Sequence, residues 1–134
     1  MALHARGTFE VKLDPQPLSE LGQSAQLGRL TIDKQFQGDL VAASQGEMLS
    51  AMTTTPGSAG YVALERVSGQ LGGRRGSFVL QHSGLMARGA PTLTVTVVPD
   101  SGTDELTGLT GTLTIHIADG LHSYELTYSL PGAE

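Results

Sequence analysis

The chain has no cysteine, which rules out a disulfide framework, a thiolate metal site and a cysteine nucleophile. Positive charge is also scarce. Eight Lys+Arg stand against 13 Asp+Glu, and the net charge of −5 leaves no basic field for a phosphate backbone, so no nucleic-acid role is expected. No apolar run approaches the roughly 20 residues of a spanning helix, and the N-terminus lacks the basic-then-apolar order of a signal peptide. No membrane association is expected, and the cytoplasm is the expected compartment. Charged residues make up only 16%, against a usual roughly 25%, but 39% hydrophobic content is too high for a disordered chain. The 134 residues suit one domain over 1–134. Motifs of cofactor and nucleophile chemistry are missing too. There is no His-Glu-x-x-His, no Gly-x-Ser-x-Gly elbow, and no Lys-Ser/Thr in the glycine-rich stretch Gly102 to Gly111. No cofactor is expected.

Glycine is abundant: 18 residues, about twice the usual ~7%. The glycines are spread along the chain and read as turn punctuation. Between them apolar and polar residues alternate, the period of half-buried strands. Phe9, Val11 and Leu13 form one such run, and Leu30, Ile32 and Phe36 share a phase in the next. Leu93, Val95 and Val97 form a third, Leu113, Ile115 and Ile117 a fourth, and Tyr124, Leu126, Tyr128 and Leu130 a fifth. About eight strands result, the number of a small antiparallel barrel, so the fold class is all-β. Short helical turns are expected only at Pro17–Leu21 and Thr103–Leu106.

Turn chemistry gives register to three hairpins. Asp119-Gly120 pairs Ile117 with His122, Ile115 with Tyr124 and Leu113 with Leu126. A two-residue turn at Gly72-Gly73 pairs Val67 with Phe78, Glu65 with Leu80 and Ala63 with His82. One extra bulged residue there would put Arg66 in the place of Glu65; the two-residue turn is preferred. A turn at Gln37-Gly38, a poorer signal, places Leu30, Ile32, Lys34 and Phe36 on one face with Val41, Ala43, Gln45 and Glu47. Phe78, Leu80, Leu113, Ile115 and Leu126 are the expected core.

Polar residues caught in the apolar phase carry the functional argument, because burying them requires partners or a wet cavity. Glu65 and His82 become diagonal neighbours, close enough for long side chains to meet. A carboxylate beside an imidazole is the arrangement of a general acid–base pair, and also of a plain structural hydrogen bond, the commoner of the two. Tyr61 and Tyr124 add hydroxyls on inward faces, and His122, just past a turn, belongs at a barrel mouth; these three are the candidate ligand contacts. Tyrosines in such places more often finish a core. Lys34 and Glu47 are better placed on a solvated face. His116 and His122 fall on opposite faces and cannot share an ion, so no metal site is expected.

The stretch Gly60-Tyr61-Val62-Ala63-Leu64-Glu65-Arg66-Val67, followed by Gly73 through Gly84, resembles the signature of a bacterial family catalogued as domain of unknown function 3224. Gly7 to Val11, Gly38-Asp39-Leu40, Pro99 to Leu106 and Gly120 to Tyr128 extend the resemblance over essentially the whole chain. The resemblance implies a barrel similar to those of allene oxide cyclases and dirigent proteins. Ser101 to Gly111 (Ser-Gly-Thr-x-Glu-Leu-x-Gly-Leu-x-Gly) is similar in pattern to a glycine-rich loop of those barrels. No catalytic residue of either group matches this chain position by position, so their chemistry is not implied.

Three functions follow in order of preference. The first is a barrel binding a small hydrophobic molecule in its lumen or mouth. The second is a homo-oligomer joined through the outer face, where Val62, Leu64 and Val79 form an apolar stripe. The third is an isomerase or cyclase with Glu65 and His82 as acid and base.

Overall fold

The computed structural model describes residues 2–133. Eight strands form one closed antiparallel barrel in chain order: β1 (Leu3–Pro15), β2 (Leu27–Gly38), β3 (Leu40–Met52), β4 (Ala59–Leu71), β5 (Arg74–Ala87), β6 (Ala90–Val97), β7 (Thr110–Ala118) and β8 (Leu121–Ser129). β1 closes the barrel by pairing with β8, Gly7 opposite Tyr124. Closure gives β1 and β8 a partner each, so neither terminal strand is a free edge.

Both strong turn signals hold. Val67 lies opposite Phe78 and Ala63 opposite His82; Ile117 lies opposite His122 and Leu113 opposite Leu126. The turn expected at Gln37-Gly38 does not form. The chain reverses around Asp39, with Phe36 opposite Ala42. Contacts from distant strands override the local signal. The Tyr124 hydroxyl accepts from the Leu40 N–H at 3.0 Å and donates to the Gln37 carbonyl at 2.9 Å, and the Asp39 carboxylate accepts the Arg6 N–H at 2.8 Å. The backbone groups of the reversal are thus satisfied by β8 and β1 rather than by each other. The inward face of β3 is therefore Leu40, Ala42 and Ser44, while Val41, Gln45 and Glu47 point out.

Two irregular segments complete the chain. A short helix, α1 (Glu20–Ser24), starts later than Pro17 because Ser19 is its N-cap, accepting the Gly22 N–H at 3.1 Å. Between β6 and β7 the chain runs alongside β5, beyond the point where β6 stops. Val98 N–H donates to the Val79 carbonyl, Ser101 Oγ accepts from the Val79 N–H, and Thr103 exchanges bonds with Ser77. The segment then turns through Asp104–Leu106 and buries Leu106 and Leu109.

These two leucines plug one end of the barrel. Below and around them lie Leu40, Leu71, Phe78, Leu80 and Leu126, all at most 1% exposed. The opposite end, formed by the β1–β2, β3–β4, β5–β6 and β7–β8 connections, has no such plug. There Leu13, Leu93 and Ile117, on the inward phase of their strands, are exposed. Ile115, expected in the core, is only part-buried, because it stands in the wall of that opening.

Candidate functional site

Four consecutive strands each send one polar side chain to the middle of the barrel. Lys34 comes from β2, Ser44 from β3, Glu65 from β4 and His82 from β5, and all four are buried. Glu65, at 1% exposure, is the hub. Its Oε2 accepts from Lys34 Nζ at 2.8 Å and meets His82 Nε2 at 2.7 Å, and its Oε1 accepts from Ser44 Oγ at 2.9 Å. Burial pushes the Glu65 carboxyl up, but the His82 hydrogen bond and the Lys34 charge outweigh it and hold the group at about 2. Glu65 is therefore an anion at neutral pH, and the proton between it and the imidazole sits on His82 Nε2.

That tautomer places the lone pair of a neutral His82 on Nδ1. Nδ1 has no partner among the described residues, and no buried side-chain nitrogen or oxygen there is left unpaired. Nδ1 therefore reaches open space. The space is a cavity of about 200 Å³ at the unplugged end, walled by apolar side chains such as Ile32, Leu93 and Ile115, with Lys34 and His82 bordering it. Lys34 Nζ also lies 4.8 Å from the centre of the Phe9 ring, a cation–π contact that helps hold a buried ammonium.

The expected pair of Glu65 and His82 is thus bonded, but the two have different access. His82 faces the cavity, whereas the Glu65 side chain is fully enclosed and does not line it. Glu65 can orient and polarise; it cannot touch a ligand. Tyr61 and His122 are where the sequence placed them, in the cavity wall. The Tyr61 ring lies over Gly84, directly opposite on β5, where any Cβ would enter the ring. The His122 ring lies against that of Phe9, the centroids 5.1 Å apart and the planes tilted by 40°. Tyr124 is a correction: it is buried, and its hydroxyl serves the β2–β3 reversal near the plugged end instead of a ligand.

Lys34 is a second correction. Expected in solvent, it is 6% exposed and paired with Glu65. Its signal was its phase, between Ile32 and Phe36 on an inward face. Ser44 could not be found from sequence, because the β3 register was displaced. Glu47 is on the outside as expected, paired with Arg29 at 2.6 Å. Gly46, opposite Glu65, has no room for a Cβ, which would collide with the Leu64 carbonyl and Glu65 Cα; glycine lets β3 close on β4 beside the hub. Among the described residues no group of three or more His, Asp or Glu side chains could hold a metal ion.

The family model for a protein of unknown function, DUF3224, matches residues 5–128. The chain belongs to that family. A crystal structure of a DUF3224 protein of unknown function from Shewanella oneidensis MR-1 is similar at 51% sequence identity and a TM-score of 0.91, covering 99% of this chain and 100% of that one. No functionally curated protein matches. In this DUF3224 chain, the stretch of the family pattern at Pro99–Leu106 is accounted for by structure: it pairs with the free length of β5 and plugs the barrel.

Proposed function

We propose that this protein binds a small hydrophobic molecule in the open mouth of its barrel, a barrel of the allene-oxide-cyclase-like kind. One observation carries the reading: the interior is sealed at one end and left open at the other, over an apolar-walled cavity of about 200 Å³ with Lys34 and His82 at its floor. A few polar groups at the base of an apolar wall orient a ligand while burial supplies the affinity. The volume is below the roughly 300–1,000 Å³ of drug-sized sites, which favours a small ligand. Titration with 1-octanol, followed by methyl NMR, tests it. Saturable shifts at Ile32, Leu93 and Ile115 support the reading; shifts confined to outer residues such as Val62 and Leu64 overturn it.

A second reading, association of copies through the outer face, is favoured by an open depression of about 680 Å³ lined by Leu49, Val62 and Leu64. Val62 and Leu64 are 55% and 53% exposed on adjacent outward positions, an apolar patch that association would cover. Val79 leaves the proposed stripe, since the segment after β6 already covers it in part. Sedimentation of wild type against a Val62→Ser, Leu64→Ser variant tests this; a monomer in both sinks it. An isomerase or cyclase activity would use His82 Nδ1 as the base, with Glu65 as its positioning residue.

Among the described residues no helix is long and apolar enough to cross a membrane. Glu10, Lys12 and Asp33 are exposed on outward positions at mid-strand, where a lipid-facing band would incur a large cost. That distribution supports a water-surrounded barrel, for which we propose the cytoplasm.

A further inference from the structure

The floor of the mouth specifies more than an apolar ligand. Its two polar groups, Lys34 and His82, border the cavity, while the carboxylate that neutralises them lies behind them, out of a ligand's reach. A molecule entering the mouth therefore meets an ammonium and an imidazole, not the anion. Lys34 Nζ has three donors and gives one to Glu65, so others remain for a ligand oxygen. His82 Nδ1 is a bare lone pair when the ring is neutral, and becomes a second donor once it takes a proton.

We propose that the ligand carries a carboxylate at its deep end, gripped by Lys34 and by His82 Nδ1, and that its binding brings one proton onto His82. This rests on the reading that the mouth is a ligand site.

The charge count supports it. With the ring neutral, the cluster holds one cation (Lys34) and one anion (Glu65). An entering carboxylate adds one negative charge to a place with little water. A proton taken up on His82 restores neutrality and supplies the donor that the second carboxylate oxygen needs. Glu65, already bonded to Nε2, stabilises the imidazolium without moving. The other titratable groups near the ring are Tyr61 on β4 and His122 on β8, both in the cavity wall; β6, packed against His82 on its other side, carries none. A neutral alcohol of the same length gains the same apolar burial, accepting from Lys34 and donating to the Nδ1 lone pair, but it has no charge to pair with the ammonium and draws no proton onto the ring.

Isothermal titration with octanoate and 1-octanol, in two buffers of different ionisation enthalpy at pH 7, tests the proposal on the wild-type protein. Octanoate is expected to bind at least about tenfold more tightly than octanol. It should also take up close to one proton per molecule, with the His82 ring nitrogens moving to imidazolium shifts in ¹⁵N NMR. Lys34→Met should bring octanoate down to the affinity of octanol, and His116→Gln, exposed on the outer face of β7 and away from the cavity, should leave the proton uptake unchanged. Equal wild-type affinities, or tight octanoate binding without proton uptake at His82, would overturn the proposal while leaving the mouth as a binding site. If neither compound binds, the mouth reading fails and this one with it.

Discussion

The plugged and open ends of the barrel are made by the same eight strands, and they differ in what the connections between strands bring with them. At the plugged end, the long β6–β7 segment delivers Leu106 and Leu109 into the lumen, and Tyr124 and Asp39 tie down the β2–β3 reversal. At the open end the connections contribute little to the interior; helix α1 has no buried residue. Between the two lies the Lys34–Ser44–Glu65–His82 layer. A polar layer of this kind is a poor way to gain stability, since desolvating the charges cancels much of their attraction. It lies at the level where the packed interior stops. The division is one between an end that holds the fold and an end that stays open.

The largest effect should come from the plugged end. Leu126→Ala removes a fully buried side chain from a packed layer and should cost about 3–5 kcal/mol in urea unfolding, by lost burial plus a cavity. A cost near 1 kcal/mol would mean that this end collapses easily and is not the stable half.

The boundary layer comes next, and pH reads it. Glu65 titrates at about 2 in the fold against an ordinary 4.5, so between those values the unfolded chain binds more protons than the native one. Its contribution, about 3 kcal/mol, is complete above pH 4.5 and is lost as the pH falls towards 2. Glu65→Gln should lose that amount at pH 7, where it leaves the Lys34 ammonium buried without an anion, and should flatten the acid limb of the stability curve. Parallel acid limbs in wild type and variant would show that the carboxylate is not held down in the fold.

How far all this could be read beforehand depends on where the determining contacts lie. Barrel class follows from alternation along the chain, while the β4–β5 and β7–β8 registers and the Glu65–His82 contact follow from glycine turns, each inside a single hairpin. The reversal at Asp39 depends on Tyr124, 84 residues from Leu40, and no local pattern could announce it. That single displacement hid Ser44 and turned β3 over. Lys34 shares the inward phase of Ile32 and Phe36, but that phase belongs to the hairpin with the poorest turn signal, and a solvated face is the ordinary place for a lysine. The size of the mouth is likewise a tertiary property, decided by which connection carries a plug.

The Tyr124 hydroxyl gives the next effect. Tyr124→Phe keeps the ring against Phe36 but strands the Leu40 N–H and Gln37 carbonyl it bridges. A buried group left without its partner costs about 1–3 kcal/mol, and that loss is expected at neutral pH. Octanol binding should be unaltered, since the hydroxyl works at the other end; a large change in binding would place Tyr124 in the ligand site after all.

The smallest effect should come from the rim. Ile117 continues the inward phase of Leu113 and Ile115, yet it is 67% exposed, because β7 rises past the level at which the lumen is filled. Ile117→Ala has little burial to lose and should change stability by no more than about 0.5 kcal/mol. Its side chain nevertheless stands in the wall of the cavity, so the same variant should weaken octanol binding measurably. A substitution that leaves folding alone and affects the ligand is what an open end predicts. If Ile117→Ala instead destabilises the protein like a core truncation, the rim is packed in solution, and the contrast between the two ends disappears.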